Sequence, residues 1–264
     1  MNDSWLKQSV EQPLFGDMLW SKPENKRLAG KLLIIGGSVH GFAQTVSLYQ
    51  SVIRAGVGTV RVVLPDSLRS TLGNSLEDID YVSSNRSGGF AERSLADLLE
   101  QSSWSDGVIF GPELDSNSED KLLFEKFIHD YSGQLTLVGD PLNFLIALGE
   151  NYFSRKSTLV VGDLSKLSKL AVKAKSTLAI NPTYDLVRVV DAANMLSKNC
   201  SINILSMASG NYLLSINGTA CTTKEVKKNQ NWETDLAGHG AVWWVQHPDK
   251  VLEALSCALV EVQS

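Results

Sequence analysis

Four short segments combine residues suited to chemistry: GGSVHGF at 36–42, GPELD at 111–115, GDPLN at 139–143 and LAGHG at 236–240. Each pairs glycine, which lets backbone approach a ligand closely, with an acid, an amide or an imidazole. LAGHGAVWW, residues 236–244, has the spelling of a glycine loop entering the first turn of a helix. Such a turn offers free N–H groups to a phosphate or another anion. Yet no Asp or Glu follows its second glycine, where a phosphate-handling site is expected to hold a base. In GDPLN, Asp140 and Asn143 are placed to hydrogen-bond a ligand, while Asp140 reads equally well as the cap of a helix beginning at Pro141. GGSVHGF matches the outer glycines of a dinucleotide fingerprint at Gly36 and Gly41, but Ser38 replaces the middle one, so a plain sharp turn competes. GPELD, opening at Gly111, reads either as a ligand-facing loop or as a strand-ending turn.

The elements that must position these segments follow from periodicity. KLLII from Lys31 is a short continuous apolar run, as in a buried parallel strand. In AQTVSLYQSVIRAG, Ala43, Val46, Leu48, Tyr49, Val52 and Ile53 recur at helical spacing and Gly56 is the stop; TVRVVLPD is the next strand. RSLADLLEQ and EDKLLFEKFIHDY then predict helices alternating with strands in GVIF, QLTLV and STLVV, which implies an α/β fold with a mostly parallel sheet. VRVVDAANMLSK predicts a helix. INILSM and NYLLSINGTACTT predict antiparallel strands joined near Ser209-Gly210 at a sheet edge, and KEVKKNQN, 224–231, a solvated loop. No linker or repeat divides the chain, so residues 1–264 are expected to form one domain. In such sheets ligands gather outside the carboxyl ends of strands, where the four segments fall.

Composition narrows the classes. With 43% hydrophobic and 20% charged residues in 264, the chain can bury a sizeable core. A net charge of -5 with dispersed Lys and Arg argues against nucleic acid or an anionic membrane as the main partner. The first residues lack a secretory pattern and no apolar run reaches membrane length, so a cytoplasmic location is expected. Cys200, Cys221 and Cys257 suit neither a disulfide framework nor a zinc site and are expected as reduced thiols. His40, His129, His239 and His247 show no metal spacing, so no metal ligands are assigned.

In order along the chain, KLLIIGGSVHGFAQTVSLYQSVIRAGVGTVRVVLP, VIFGPEL and LVGDPLN resemble the NAD(P)H-hydrate dehydratase family, with its GGS and A-G-x-G-x-V elements, its GPGLG and its D-A-D-A-L-N. The resemblance implies a ribokinase-like fold and repair of a hydrated nicotinamide cofactor: ADP or ATP, with magnesium, phosphorylates the hydroxyl, and loss of phosphate restores NADH or NADPH. It implies a homo-oligomer, commonly a tetramer. By position it matches Ala43 to an alanine near the substrate, Gly111 to the start of the second loop, and Asp140 and Asn143 to the family's last Asp and its Asn. It matches Gly238 and Gly240 to the glycines of a G-[ST]-G-D anion hole whose catalytic Asp is Ala241 here. Asp163 stands where the family has a histidine, the segment SMAS lacks a lysine, and Glu113 replaces a glycine after Pro112. His239 and Asp235 are the neighbours able to stand in as base. The implied function is a divergent dehydratase-like protein with impaired catalysis; the alternatives are a non-catalytic binding or assembly module and a small-molecule kinase.

Overall fold

The computed structural model describes residues 4–72, 78–115 and 117–263. Its centre is a sheet of ten strands: β1 (Trp5–Gln8), β2 (Lys31–Ile35), β3 (Thr59–Pro65), β4 (Ile79–Val82), β5 (Gly107–Phe110), β6 (Gln134–Val138), β7 (Thr158–Val161), β8 (Asn203–Ala208), β9 (Asn211–Ile216) and β10 (Thr219–Lys224), ordered β1-β10-β9-β8-β7-β6-β5-β2-β3-β4. The pairings of β9 with β8 and β10 are antiparallel and the rest are parallel, so β9 alone runs against the other strands. The apolar run KLLII forms β2 over its whole length, flanked by β3 and β5.

Helices cover both faces, and alternation along the strands decides which residue meets which layer. Leu33 and Ile35 point into one cluster, where α4 (Leu95–Trp104), α5 (Ser118–Asp130), α6 (Asp140–Leu148), α7 (Leu164–Lys173) and α8 (Leu186–Cys200) supply Leu98, Phe124, Leu142, Leu167 and Val189. Leu32 and Ile34 point into the other, against α2 (Ala43–Arg54), α9 (Trp232–Gln246) and α10 (Val251–Glu261). Two one-turn helices, α1 (Gly16–Leu19) and α3 (Arg69–Leu72), sit at the margins.

The antiparallel strands were expected at an edge, and the structure corrects this. NYLLSINGTACTT is two strands, β9 and β10, meeting at a turn through Asn217 and Gly218. The edge itself is β1, paired with β10 through Trp5–Ala220 to Gln8–Thr223. Side chains reinforce the pairing: the Trp5 indole N–H donates to Thr222 Oγ1 at 3.0 Å, and Gln8 Nε2 donates to Thr223 Oγ1 at 2.9 Å and to the Ser256 carbonyl at 2.8 Å.

A larger correction concerns residues 236–244. They are the middle of α9, whose first turn begins at Trp232, and Leu236 through Trp244 are all buried. The helix lies between α2, α10 and the sheet, so it is apolar all round and shows none of the one-sided periodicity that marks a surface helix. Its glycines serve approach to neighbours: a Cβ on Gly238 would lie 2.6 Å from Ser51 Oγ and 3.1 Å from the Val52 amide, and one on Gly240 would lie 2.8 Å from Leu205 Cδ1. Ala241 is fully buried, and its carbonyl accepts from Gln134 Nε2.

Candidate functional site

The strand order reverses beside β2: the chain steps from β2 outward to β3 and β4, then returns to build β5 to β8 on the other side. The carboxyl ends of strands around such a reversal form a natural crevice. There the structure has a cavity of about 400 Å³, within the range of small-molecule sites. Its walls come from four places: Gln44 in the first turn of α2; Pro112 and Glu113 after β5; Gly139, Asp140 and Asn143 after β6; and Lys166 in the first turn of α7. Gln230 to Thr234, at the start of α9, close it.

Local rules account for each wall. Residue 113 has φ +68°, a left-handed conformation that costs a residue with a Cβ about 1–2 kcal/mol. In that conformation the Glu113 carboxylate turns back onto α2, where Oε2 accepts from the Gln44 amide at 3.0 Å, the Thr45 amide at 3.1 Å and the Thr45 hydroxyl at 3.3 Å. A negative charge on the first amides of a helix is favourable, and this carboxylate takes the place an external anion would occupy. The Glu113 amide donates to Asp140 Oδ2 at 3.0 Å. Asp140 is the first residue of α6, capped by Gly139 without a side-chain bond, so its carboxylate holds the neighbouring loop and does not cap its own helix. Asn143 is exposed one turn further along the same wall.

Lys166 Nζ reaches across to Glu233 Oε2 at 2.9 Å, both side chains largely buried. Its position follows from Asp163, which caps α7 by accepting the Lys166 amide at 2.8 Å. At the start of α9, the Thr234 hydroxyl donates to the Asn231 carbonyl at 2.9 Å. Asp235 turns away from the cavity: Arg54 binds one carboxylate oxygen at 2.5 Å and Asn229 the other at 2.8 Å. His239, one turn later, is buried between α9 and α2; burial holds its pKa down at about 4, and its Nδ1 lies 2.9 Å from the Asp235 carbonyl. Neither proposed stand-in base reaches the cavity.

Of the residues singled out from sequence, the structure brings Glu113, Asp140 and Asn143 to the cavity. Ala43 is exposed at the start of α2, next to Gln44. Gly111 is buried behind Pro112, its amide donating to the Ile35 carbonyl at 2.7 Å. Gly238, Gly240 and Ala241 lie outside the lining, in the interior of α9, so the expected glycine loop is not there. The part of α9 that does face the cavity is its start, 230–234, and its signal was available: Asn231 followed by Glu233 and Asp235 has the pattern of a helix N-terminus. Lys166 and Trp232 gave no local signal, since only the fold carries them to the strand exits. Among the described residues, no group of three or more His, Cys, Asp and Glu is arranged to hold a metal ion, and no helix is long and apolar enough to cross a membrane. All three cysteines are buried and unpaired.

No family model matches the chain. Two curated relatives, the bifunctional NAD(P)H-hydrate repair enzymes Nnr of Dictyoglomus turgidum and Escherichia coli K12, are 23% identical over 163 residues and 26% identical over 174. The matches take in 60% and 62% of this chain but only 31% and 32% of those relatives, so the likeness spans about a third of their length. Among solved structures, a ribokinase-like superfamily protein of Enterococcus faecalis V583 superposes with a TM-score of 0.74 at 14% identity, over 100% of this chain and 87% of that one. An ADP/ATP-dependent NAD(P)H-hydrate dehydratase of Bacillus subtilis, co-crystallised with ATP and Mg2+, gives 0.63 at 10% identity over 91% and 81%. A Staphylococcus aureus pyridoxal kinase in complex with pyridoxal gives 0.54 at 13% over 86% and 84%. The fold is ribokinase-like.

Proposed function

We propose that this chain is a divergent member of the NAD(P)H-hydrate dehydratase family, on its likeness to the two curated relatives, and a dehydratase-like protein whose catalytic step is impaired while its ligand cavity is kept. The family reaction needs a base beside the accepting hydroxyl and an anion-binding helix start for the transferred phosphoryl group. The first turn of α9 carries the reading. Of the residues it brings to the cavity, Thr234 has its hydroxyl committed to the Asn231 carbonyl and Glu233 has its carboxylate paired with Lys166, while the next acid, Asp235, is held outside by Arg54 and Asn229. The loss first attributed to position 241 is therefore assigned to this turn.

ADP or ATP with magnesium, the family's co-reactants, suit this lining poorly. Glu113 already fills the amides of Gln44 and Thr45, and Glu233 already engages the cavity's lysine. The test is regain of NADH absorbance from hydrated NADH with ADP or ATP and magnesium. Loss of a general base alone slows such reactions ~10²–10⁴-fold, so turnover at the rate of an active family enzyme run alongside refutes the proposal.

A further inference from the structure

The cavity does not have the charge of a phosphate site. Three carboxylates, Glu113, Asp140 and Glu233, border it against one ammonium, Lys166, and that ammonium is neutralised by Glu233 at 2.9 Å. Two of the helix starts that face it, α2 and α9, already carry protein carboxylates: Glu113 sits on the first amides of α2, and Glu233 belongs to the first turn of α9. An incoming phosphate would meet like charge where a phosphate site offers free donors. The remaining groups suit a different ligand. Trp232, half buried, brings an indole to the wall, and indole beside carboxylate is a combination that holds organic cations. Gln44 and Asn143, both exposed, supply donors and acceptors for hydroxyl or amide groups.

We propose that this cavity binds a phosphate-free organic cation bearing hydroxyl groups, of nucleoside size, and discriminates against its phosphorylated form. The inference rests on the reading of this cavity as the ligand site of a family member, and it departs from that family in the charge of the ligand. Glu113 and Glu233 set the discrimination: one blocks the α2 amides, the other silences Lys166.

The probes are nicotinamide riboside, a cation, and nicotinamide mononucleotide, which adds one phosphate to the same molecule. Binding to the purified full chain is measured by calorimetry, with and without magnesium, and ATP is titrated under the same conditions. The riboside is expected to bind at least about tenfold more tightly than the mononucleotide, since one phosphate adds like-charge repulsion near two or three carboxylates. The double substitution E113Q/E233Q is expected to cut that ratio to about threefold or less, because it removes two of the charges and frees Lys166. W232F, which leaves every charge in place, is expected to weaken the riboside and keep the ratio. Circular dichroism of each variant establishes that it is folded. Silence of the riboside, tighter binding of the mononucleotide or of ATP with magnesium, or an unchanged ratio in a folded E113Q/E233Q variant each overturns the proposal. Hydrated-NADH turnover is scored separately: activity there refutes the impaired-enzyme reading and leaves the binding ratio to be judged by itself.

Discussion

Substitution at Glu113 separates two effects that the wild-type residue combines. The carboxylate caps α2 through the Gln44 and Thr45 amides, while the backbone beneath it sits at φ +68°. Loss of such a cap costs ~1 kcal/mol, and alanine keeps the left-handed conformation along with its cost, so E113A is expected to be destabilised by about that amount. Glycine loses the same cap but relieves ~1–2 kcal/mol of left-handed strain, against ~0.4–1 kcal/mol for its looser unfolded chain. E113G is therefore expected to exceed E113A in stability by ~0.5–1 kcal/mol despite having the smaller side chain. For a chain of this size that is about 1–4 °C in Tm, and it is also readable as a shift of the urea midpoint at constant slope. Wild type, E113A and E113G measured together at pH 7 give the two differences. If E113A melts at or above E113G, the loop is not left-handed at this position, and the account of how the carboxylate reaches α2 fails with it.

Restoring an acid at Ala241 is expected to damage the protein without producing turnover: the site is fully buried among apolar side chains, and an unpaired carboxylate there costs about 3–5 kcal/mol, visible as a lost or strongly lowered melting transition. Two buried groups give opposite pH signatures. His239 is held down at about 4, so the unfolded chain takes up its proton first and the stability it gives above pH 6.5 is lost as pH falls toward 4; H239N is expected to improve relative to wild type over that descent in urea melts. Asp120 is raised to about 7, chiefly by burial and then by the charge of Asp115, and its Oδ2 has no partner. The folded chain keeps that proton where the unfolded one releases it, so stability present near pH 4 is lost as pH rises through 7, and D120N is expected to gain on wild type over that rise. A pH-independent difference in either variant contradicts its assignment.

The parallel half of the sheet was legible because its strands are buried on both faces and therefore written as continuous apolar runs such as KLLII and STLVV. The reversal of β8 into β9 was legible too, at Ser209 and Gly210, both of positive φ. Residues 236–244 misled for a physical reason. A helix buried on all sides has no polar face, and glycines that admit a neighbouring helix are spelled like glycines that make a loop. Asp140 and Asn143 could be placed because they follow a recognisable strand at once. Lys166, Trp232 and the turning away of Asp235 depend on which helix starts converge at the reversal, a property of topology that no local pattern carries. The same limit hid β1, whose partner lies more than two hundred residues away in the chain.

That last pairing has a consequence for how the molecule is made. During synthesis Trp5 leaves the ribosome long before Ala220, the residue it faces, has been added. The segment destined for the sheet's outer rim is thus translated before the other strands of this sheet and must wait, unpaired, while the intervening layers assemble. Closing so long a loop is entropically slow, and an unpaired strand end is a template for other chains in the meantime. The rim is then a seam whose closure waits on the last strand of the sheet, and a place where two nascent copies could exchange strands.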